Sequence, residues 1–93
     1  MATTTQTPEQ RELFRLHLLK QLAGAGRLGA TVGELHIGMR AEGFSNTREE
    51  LREELEYVRE KTYCQMLPKD FSPEVESFAI TAAGRDFLAK KGL

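Results

Sequence analysis

The stretch from Thr47 to Thr62 has the most regular spacing of hydrophobic and polar positions in the chain. Leu51, Leu55, Val58 and Thr62 recur at helical spacing, which places them on one face of an α-helix. Thr47 is the expected N-cap, and the glutamate three residues later completes a capping box. The pattern therefore predicts a helix that buries one face, with Leu55 at its centre.

The residues after Thr7 predict an earlier helix, with hydrophobic side chains around more than half of its circumference. Thr7, Pro8 and Gln10 form its start signal, and the helix is expected to end at about Ala23. Two interpretations stay open. Either this first helix lies at the centre of the domain, or one hydrophobic stripe is left to bind another subunit. The candidate partner-binding stripe consists of Phe14, Leu18 and Leu22.

A glycine-rich segment separates the first helix from a second one. The segment lacks the lysine that ends a phosphate-binding P-loop, so we interpret it as a connector. Leu28 is expected to anchor this connector to the core, in a short strand. Thr31 and Glu34 form the next capping box, and Gly43 marks the end of the second helix.

Beyond the third helix the hydrophobic spacing changes from the helical period to alternation. Tyr63–Leu67 and Val75–Ile80 are the two predicted strands of a hairpin, and Pro68–Glu74 is its tip. Phe71 in that tip is expected to be exposed and is a candidate partner contact. Thr81 then begins a short last helix.

The length of 93 residues and the balance of charge set limits on organisation and function. Residues 1–6 are expected to be a flexible tail, and residues 7–93 one domain. Thirteen basic and fourteen acidic residues give a net charge of −1, so no overall field attracts the chain to nucleic acid or to an anionic membrane. Cys64 is the single cysteine, so no internal disulfide can form. The sequence also shows no signal-peptide pattern and no apolar run long enough to span a membrane, and a soluble cytoplasmic protein is therefore expected.

Residues suited to catalysis or metal binding are few. His17, His36 and Cys64 are the candidate soft metal ligands, and no two of them have the spacing of a metal site. The glutamates lie mainly on an exposed helix face, where their pKa values are not tuned for acid–base chemistry. We therefore expect a protein that is not an enzyme and that holds no cofactor or metal.

The order of elements, three helices followed by a hairpin and a short helix, resembles winged-helix proteins. The exit from the hairpin, Thr-x-x-Gly-Arg-x-x-Leu at Thr81–Leu88, is similar to that of PadR-like and MarR-like regulators. The chain also resembles small prophage-encoded winged-helix proteins. The resemblance implies a mainly α winged helix-turn-helix fold, with a three-helix core, a wing of two or three antiparallel strands and a C-terminal helix. It further implies a transcriptional regulator that binds double-stranded DNA, as a homodimer, with Thr47–Lys61 as recognition helix and Pro68–Glu74 as wing tip.

The charges of the third helix leave two functions open. The candidate DNA-binding residues are cations on one flank of this helix and in the wing: Arg48, Arg52, Arg59 and Lys69. The side opposite the apolar stripe is acidic and carries Glu49, Glu53, Glu56 and Glu60. Because a helix in the major groove usually presents cations, the alternative is a protein-interaction module. In that alternative the third helix binds a basic protein partner, and the stripe on the first helix joins subunits.

Overall fold

A computed structural model describes residues 7–69 and 75–92 of the chain. Within those two ranges the protein is mainly helical, with four α-helices and one small three-stranded antiparallel sheet. The elements in chain order are α1 (Pro8–Ala25), a 3₁₀ turn (Gly26–Leu28), β1 (Ala30–Thr31), α2 (Val32–Ala41), α3 (Arg48–Glu60), β2 (Cys64–Met66), β3 (Ser77–Ile80) and α4 (Ala82–Lys90). The mainly α fold with a small hairpin is thus confirmed.

Three of the four helices begin with the capping boxes that the sequence predicts. In each box the threonine hydroxyl accepts a hydrogen bond from the backbone N–H of the residue three positions later. The side chain of that later residue accepts a hydrogen bond from the threonine N–H. The pairs are Thr7–Gln10, Thr31–Glu34 and Thr47–Glu50. At the start of α4 the Thr81 hydroxyl accepts the N–H of Gly84. These caps satisfy backbone donors that a helix start would otherwise leave without partners.

The sheet has the strand order β1–β3–β2, so β3 lies in the middle. Phe78 of β3 is opposite Ala30 of β1 and Met66 of β2, and its side chain is buried. The strand expected between the first two helices is therefore present, but it lies at Ala30–Thr31. Leu28 is wrong as its anchor, because the side chain is 89% exposed and the residue belongs to the 3₁₀ turn.

Helix α1 is the central helix of the core. It contacts α2, β3 and α4, which lie on more than one side of it. Phe14, Leu18 and Leu22 are fully buried by those contacts, so they are wrong as a partner-binding stripe. The wide spread of hydrophobic residues around this helix reflects packing within one chain. Each such buried side chain contributes about 1.5–3 kcal/mol to folding.

The turn between α2 and α3 packs against α1 as well. Gly43 ends α2 with φ of 98°, a left-handed conformation that favours glycine. The next residue, Phe44, places the edge of its ring against Phe14, with 5.3 Å between the ring centroids. This contact joins the turn between α2 and α3 to the central helix.

The predicted buried face of α3 is confirmed at Leu51, Leu55 and Val58, each at most 1% exposed. It is wrong at Thr62, which lies beyond the helix end, is exposed and has φ of 68°. The N–H of Thr62 donates to Arg59 O at 2.9 Å, and the next N–H donates to Val58 O at 2.9 Å. These are the two hydrogen bonds of a Schellman motif, which ends the helix without glycine.

Helix α4 lies against the corner between α3 and β2. The Thr81 N–H donates to Tyr63 O at 3.0 Å, and the Thr81 hydroxyl donates to Thr62 O. Gly84 packs so closely on the carbonyl of Tyr63 that a Cβ at this position would overlap that oxygen. The Thr-x-x-Gly pattern therefore has a packing reason, since threonine binds the corner and glycine permits the close approach.

Two predicted segments differ from those observed. The strands are shorter than expected, because β2 covers only Cys64–Met66 and β3 begins at Ser77. Phe71 and the rest of the hairpin tip from residue 70 to 74 lie outside the described residues. Among the helices that are described, none has the length and hydrophobicity needed to cross a bilayer.

Candidate functional site

A groove of about 410 Å³ lies where the starts of α2 and α3 meet the hairpin. We call it the basic groove, and its lining residues are Thr31, Val32, Gly33, Arg48, Arg52, Lys69, Val75 and Glu76. The capped starts of α2 and α3 both lie in this region, and helix N-termini favour anions. Three of the four candidate DNA-binding residues are thus brought together, although they come from separate parts of the sequence.

Arg48 lies across the first turn of α2. A Cβ built on Gly33 would be 2.6 Å from Arg48 Nη2, so the guanidinium occupies the space that a side chain at position 33 would fill. Within residues 7–69 and 75–92, no carboxylate lies within ion-pair distance of Arg48. No described carboxylate therefore neutralises the charge that Arg48 brings to the groove.

The other two cations of the groove share one carboxylate. Arg52 Nη2 donates to Glu76 Oε1, and Lys69 Nζ lies 3.5 Å from Glu76 Oε2. Desolvation raises the pKa of Glu76, but the hydrogen bond from Arg52 and the charges of Arg52 and Lys69 outweigh it and lower that pKa below its ordinary value. Glu76 is thus an ionised counterion inside the groove.

Arg59 is not part of the basic groove. Its guanidinium lies 3.2 Å from Glu56, three residues earlier on α3, and it is not among the residues that line the groove. The sequence placed it with Arg48 and Arg52 because all three project on one flank of the helix. Arg59 lies in the last turn of α3, whereas the groove is at the first turns. Arg59 is therefore separate from the basic groove, and its contact with DNA stays a prediction.

Helix α3 contains six glutamates, and four of them form an exposed acidic side. Glu49, Glu53, Glu56 and Glu60 are exposed. Glu50 accepts the N–H of Thr47 in the capping box. The sixth, Glu54, is buried.

Glu54 is only 8% exposed and is held by two arginines of α1. Arg15 Nε donates to its Oε1, and Arg11 Nε lies 3.7 Å from its Oε2. Arg15 also lies over the ring of Tyr57, with its Cζ 3.6 Å from the ring centroid. Sequence reasoning missed this pairing, although position 54 lies about 40° from Val58 on the helical wheel, at the edge of the buried face.

The residues considered for catalysis or metal binding have structural contacts. Cys64 is buried, and desolvation raises the pKa of its thiol to about 11, so the reactive thiolate is suppressed. His36 Nε2 lies 3.0 Å from Asn46 O, and His17 Nδ1 donates to Glu42. Within the described part of the chain, no group of three or more His, Cys, Asp or Glu residues is placed to hold a metal ion.

Comparison with known proteins assigns no family. Neither a protein-family model, nor a curated protein, nor a solved structure matches the chain. The function must therefore be inferred from the basic groove and from the charges of α3.

Proposed function

We propose that this chain is a winged-helix protein that binds double-stranded DNA without catalysis, as a transcriptional regulator does. The order of elements, helix–strand–helix–helix–strand–strand, and the strand order β1–β3–β2 support this fold. In a winged helix α2 and α3 would form the helix-turn-helix, and β2 with β3 would form the wing. The final helix α4 would be an addition that packs on α1.

The observation that best supports DNA binding is the convergence of Arg48, Arg52 and Lys69 on one groove. Cations from α3 and from the hairpin would there contact the same stretch of phosphate backbone. The starts of two capped helices lie beside them, and the helix dipole favours an anion near a helix start. Contacts of this kind position a protein on DNA and provide most of its non-specific affinity.

The acidic side of α3 limits how tightly DNA can bind. Glu49, Glu53, Glu56 and Glu60 would repel phosphates on either side of a major groove. We therefore expect weak binding, with a dissociation constant in the micromolar range at about 50 mM salt. If a homodimer uses the three groove cations of each subunit, about six phosphate contacts form, and the slope of log affinity against log salt is near −5.

Charge reversal in the groove tests the proposal. Arg48→Glu with Arg52→Glu should abolish binding to a fluorescein-labelled duplex, measured by anisotropy at low salt. The matched control is Arg85→Glu with Lys90→Glu on α4, which changes the net charge equally at exposed positions away from the groove. Equal loss in both double variants, with melting curves that show both to be folded, would mean that the groove has no special role.

The second candidate function is a protein-interaction module, and the acidic side of α3 favours it. Of its four exposed glutamates, only Glu56 forms an ion pair among the described residues, with Arg59. Such a surface would bind a lysine-rich or arginine-rich partner.

One pair of substitutions separates the two functions. Glu53→Lys with Glu56→Lys should strengthen duplex binding if DNA is the ligand, because repulsion is removed. The same variant should lose binding to a lysine-rich peptide if a basic protein is the partner. A wild-type protein that binds such a peptide, but no duplex or genomic fragment at low salt, would establish the second function and reject the first.

A further inference from the structure

Glu76 contacts the basic groove in the way that a bound phosphate group would. Its two carboxylate oxygens are divided between two cations, Oε1 with Arg52 and Oε2 with Lys69. The same two cation types are those that bind phosphate oxygens, arginine by directed hydrogen bonds and lysine as a point charge. An ionised carboxylate with two engaged oxygens is the closest match to a phosphate that a protein side chain offers.

The position of Glu76 also allows it to leave. The residue precedes β3 and lies outside the regular strand pairing, and its side chain is 26% exposed. The Arg52 and Lys69 side chains are more exposed still, at 51% and 39%. Ion pairs at such exposure are weak, so a phosphate with more acceptor oxygens could replace the carboxylate at small cost.

We propose that Arg52 and Lys69 form a subsite for a single DNA phosphate, which the Glu76 carboxylate occupies until DNA displaces it. This inference rests on the proposed DNA binding and adds to it a named phosphate position and an internal competitor. Arg48, which pairs with no carboxylate among the described residues, would make the first contact. Displacement of Glu76 would then free two more cations for the backbone.

Three substitutions distinguish competition by Glu76 within the subsite from the general effect of removing one negative charge. Glu76→Gln removes the carboxylate and should tighten duplex binding about five- to tenfold at low salt. Glu49→Gln is the control for charge, since Glu49 is exposed on α3 near the groove and forms no ion pair within the described ranges. It should tighten binding by no more than about twofold. Glu76→Asp keeps the charge but shortens the side chain, so it should also tighten binding.

The outcomes distinguish failure of the subsite from failure of the proposed function. DNA binding stands if the wild type binds duplex and the Arg48→Glu, Arg52→Glu double variant does not. The subsite is nevertheless rejected if Glu76→Asp has the duplex affinity of the wild type and Glu76→Gln has that of Glu49→Gln. If neither the wild type nor Glu76→Gln binds duplex at low salt, both proposals are rejected. Thermal melting of each variant establishes that the fold is intact, as expected for loss of an exposed ion pair.

Discussion

Gly33 lines the basic groove, and its lack of a side chain leaves room for the guanidinium of Arg48. A Cβ added to Gly33 would lie only 2.6 Å from Arg48 Nη2, so it would displace the guanidinium. The backbone of Gly33 does not require glycine, because its φ is not in the left-handed region. A helix with glycine at this position is less stable than one with alanine, but glycine leaves the space that Arg48 occupies.

Gly33→Ala should therefore raise stability and lower DNA affinity at once. We expect the free energy of unfolding to rise by up to about 1 kcal/mol, and duplex affinity to fall severalfold because Arg48 is displaced. Gly38→Ala is the matched control in the same helix, where the added Cβ would meet the flexible end of Gln21, outside the groove. Denaturant unfolding and anisotropy measure the two effects. Equal affinity in both variants would contradict a role for Arg48.

Glu42 predicts a dependence of stability on pH. This carboxylate accepts hydrogen bonds from His17 and Gln21 of α1. The hydrogen bond from His17 is the largest cause that lowers the pKa of Glu42 below 4.5, against the opposing effect of burial. Because the folded state binds this proton more weakly than the unfolded state, the stabilisation is present above about pH 4.5 and is lost as pH falls through the lowered pKa.

Glu42→Gln removes this titration, so its destabilising effect should shrink on acidification. Denaturant unfolding should show a gap in stability between wild type and variant at about pH 6 that is smaller at about pH 3. A gap of equal size at both pH values would mean that the contact between α1 and the end of α2 does not depend on the charge of Glu42.

At the scale of elements, helix starts were predictable and the end of α3 was not. A capping box depends only on two residues three positions apart in the sequence. Thr7, Thr31 and Thr47 could therefore be recognised as N-caps without any tertiary information. The end of α3 has no glycine. Thr62 adopts φ of 68° there because tertiary contacts hold the corner, including the hydrogen bond from Thr81. A β-branched residue in this conformation is strained.

Thr62→Gly should relieve that strain and stabilise the protein by about 0.5–1 kcal/mol. The corner itself should survive, because its hydrogen bonds use the backbone of residues 62 and 63. Thr47→Ala, which removes a cap from the other end of α3, should instead destabilise by about 1 kcal/mol. Chemical denaturation measures both. Destabilisation by Thr62→Gly would mean that the threonine side chain contributes more than its backbone strain costs.

At the scale of the whole molecule, the apolar stripe of α1 belongs to the core of one chain and forms no contact surface for a second subunit. Leu18 is 0% exposed, so Leu18→Glu would bury an unpaired charge. We expect a loss of more than about 4 kcal/mol, enough to unfold a domain of ordinary stability. Leu13→Glu on the same helix is the control, because Leu13 is 49% exposed, and it should remain folded. Circular dichroism distinguishes an unfolded Leu18→Glu from a folded Leu13→Glu, and a folded Leu18→Glu would contradict the central position of α1.

The homodimer stays a prediction, but its surface is not the stripe on α1. Sequence spacing could tell that α1 has hydrophobic residues on several sides, and it could not tell whether one chain or two would cover them. The same limit applies to the basic groove. Arg48, Arg52 and Lys69 could be named from their charge. The contact of Glu76 with Arg52 and Lys69 depends on how β3 is placed beside β2, which no local pattern specifies.

The close contact of Gly84 with the carbonyl of Tyr63 has a consequence for the order of folding. Helix α4 begins on the backbone of the α3–β2 corner, through the N–H and the hydroxyl of Thr81. Until that corner exists, the start of α4 lacks these hydrogen bonds, and nine residues are too few for a stable isolated helix. We therefore expect α4 to be the last helix to form and the first to open. In native-state hydrogen exchange, its amides should exchange at least as fast as those of the corner.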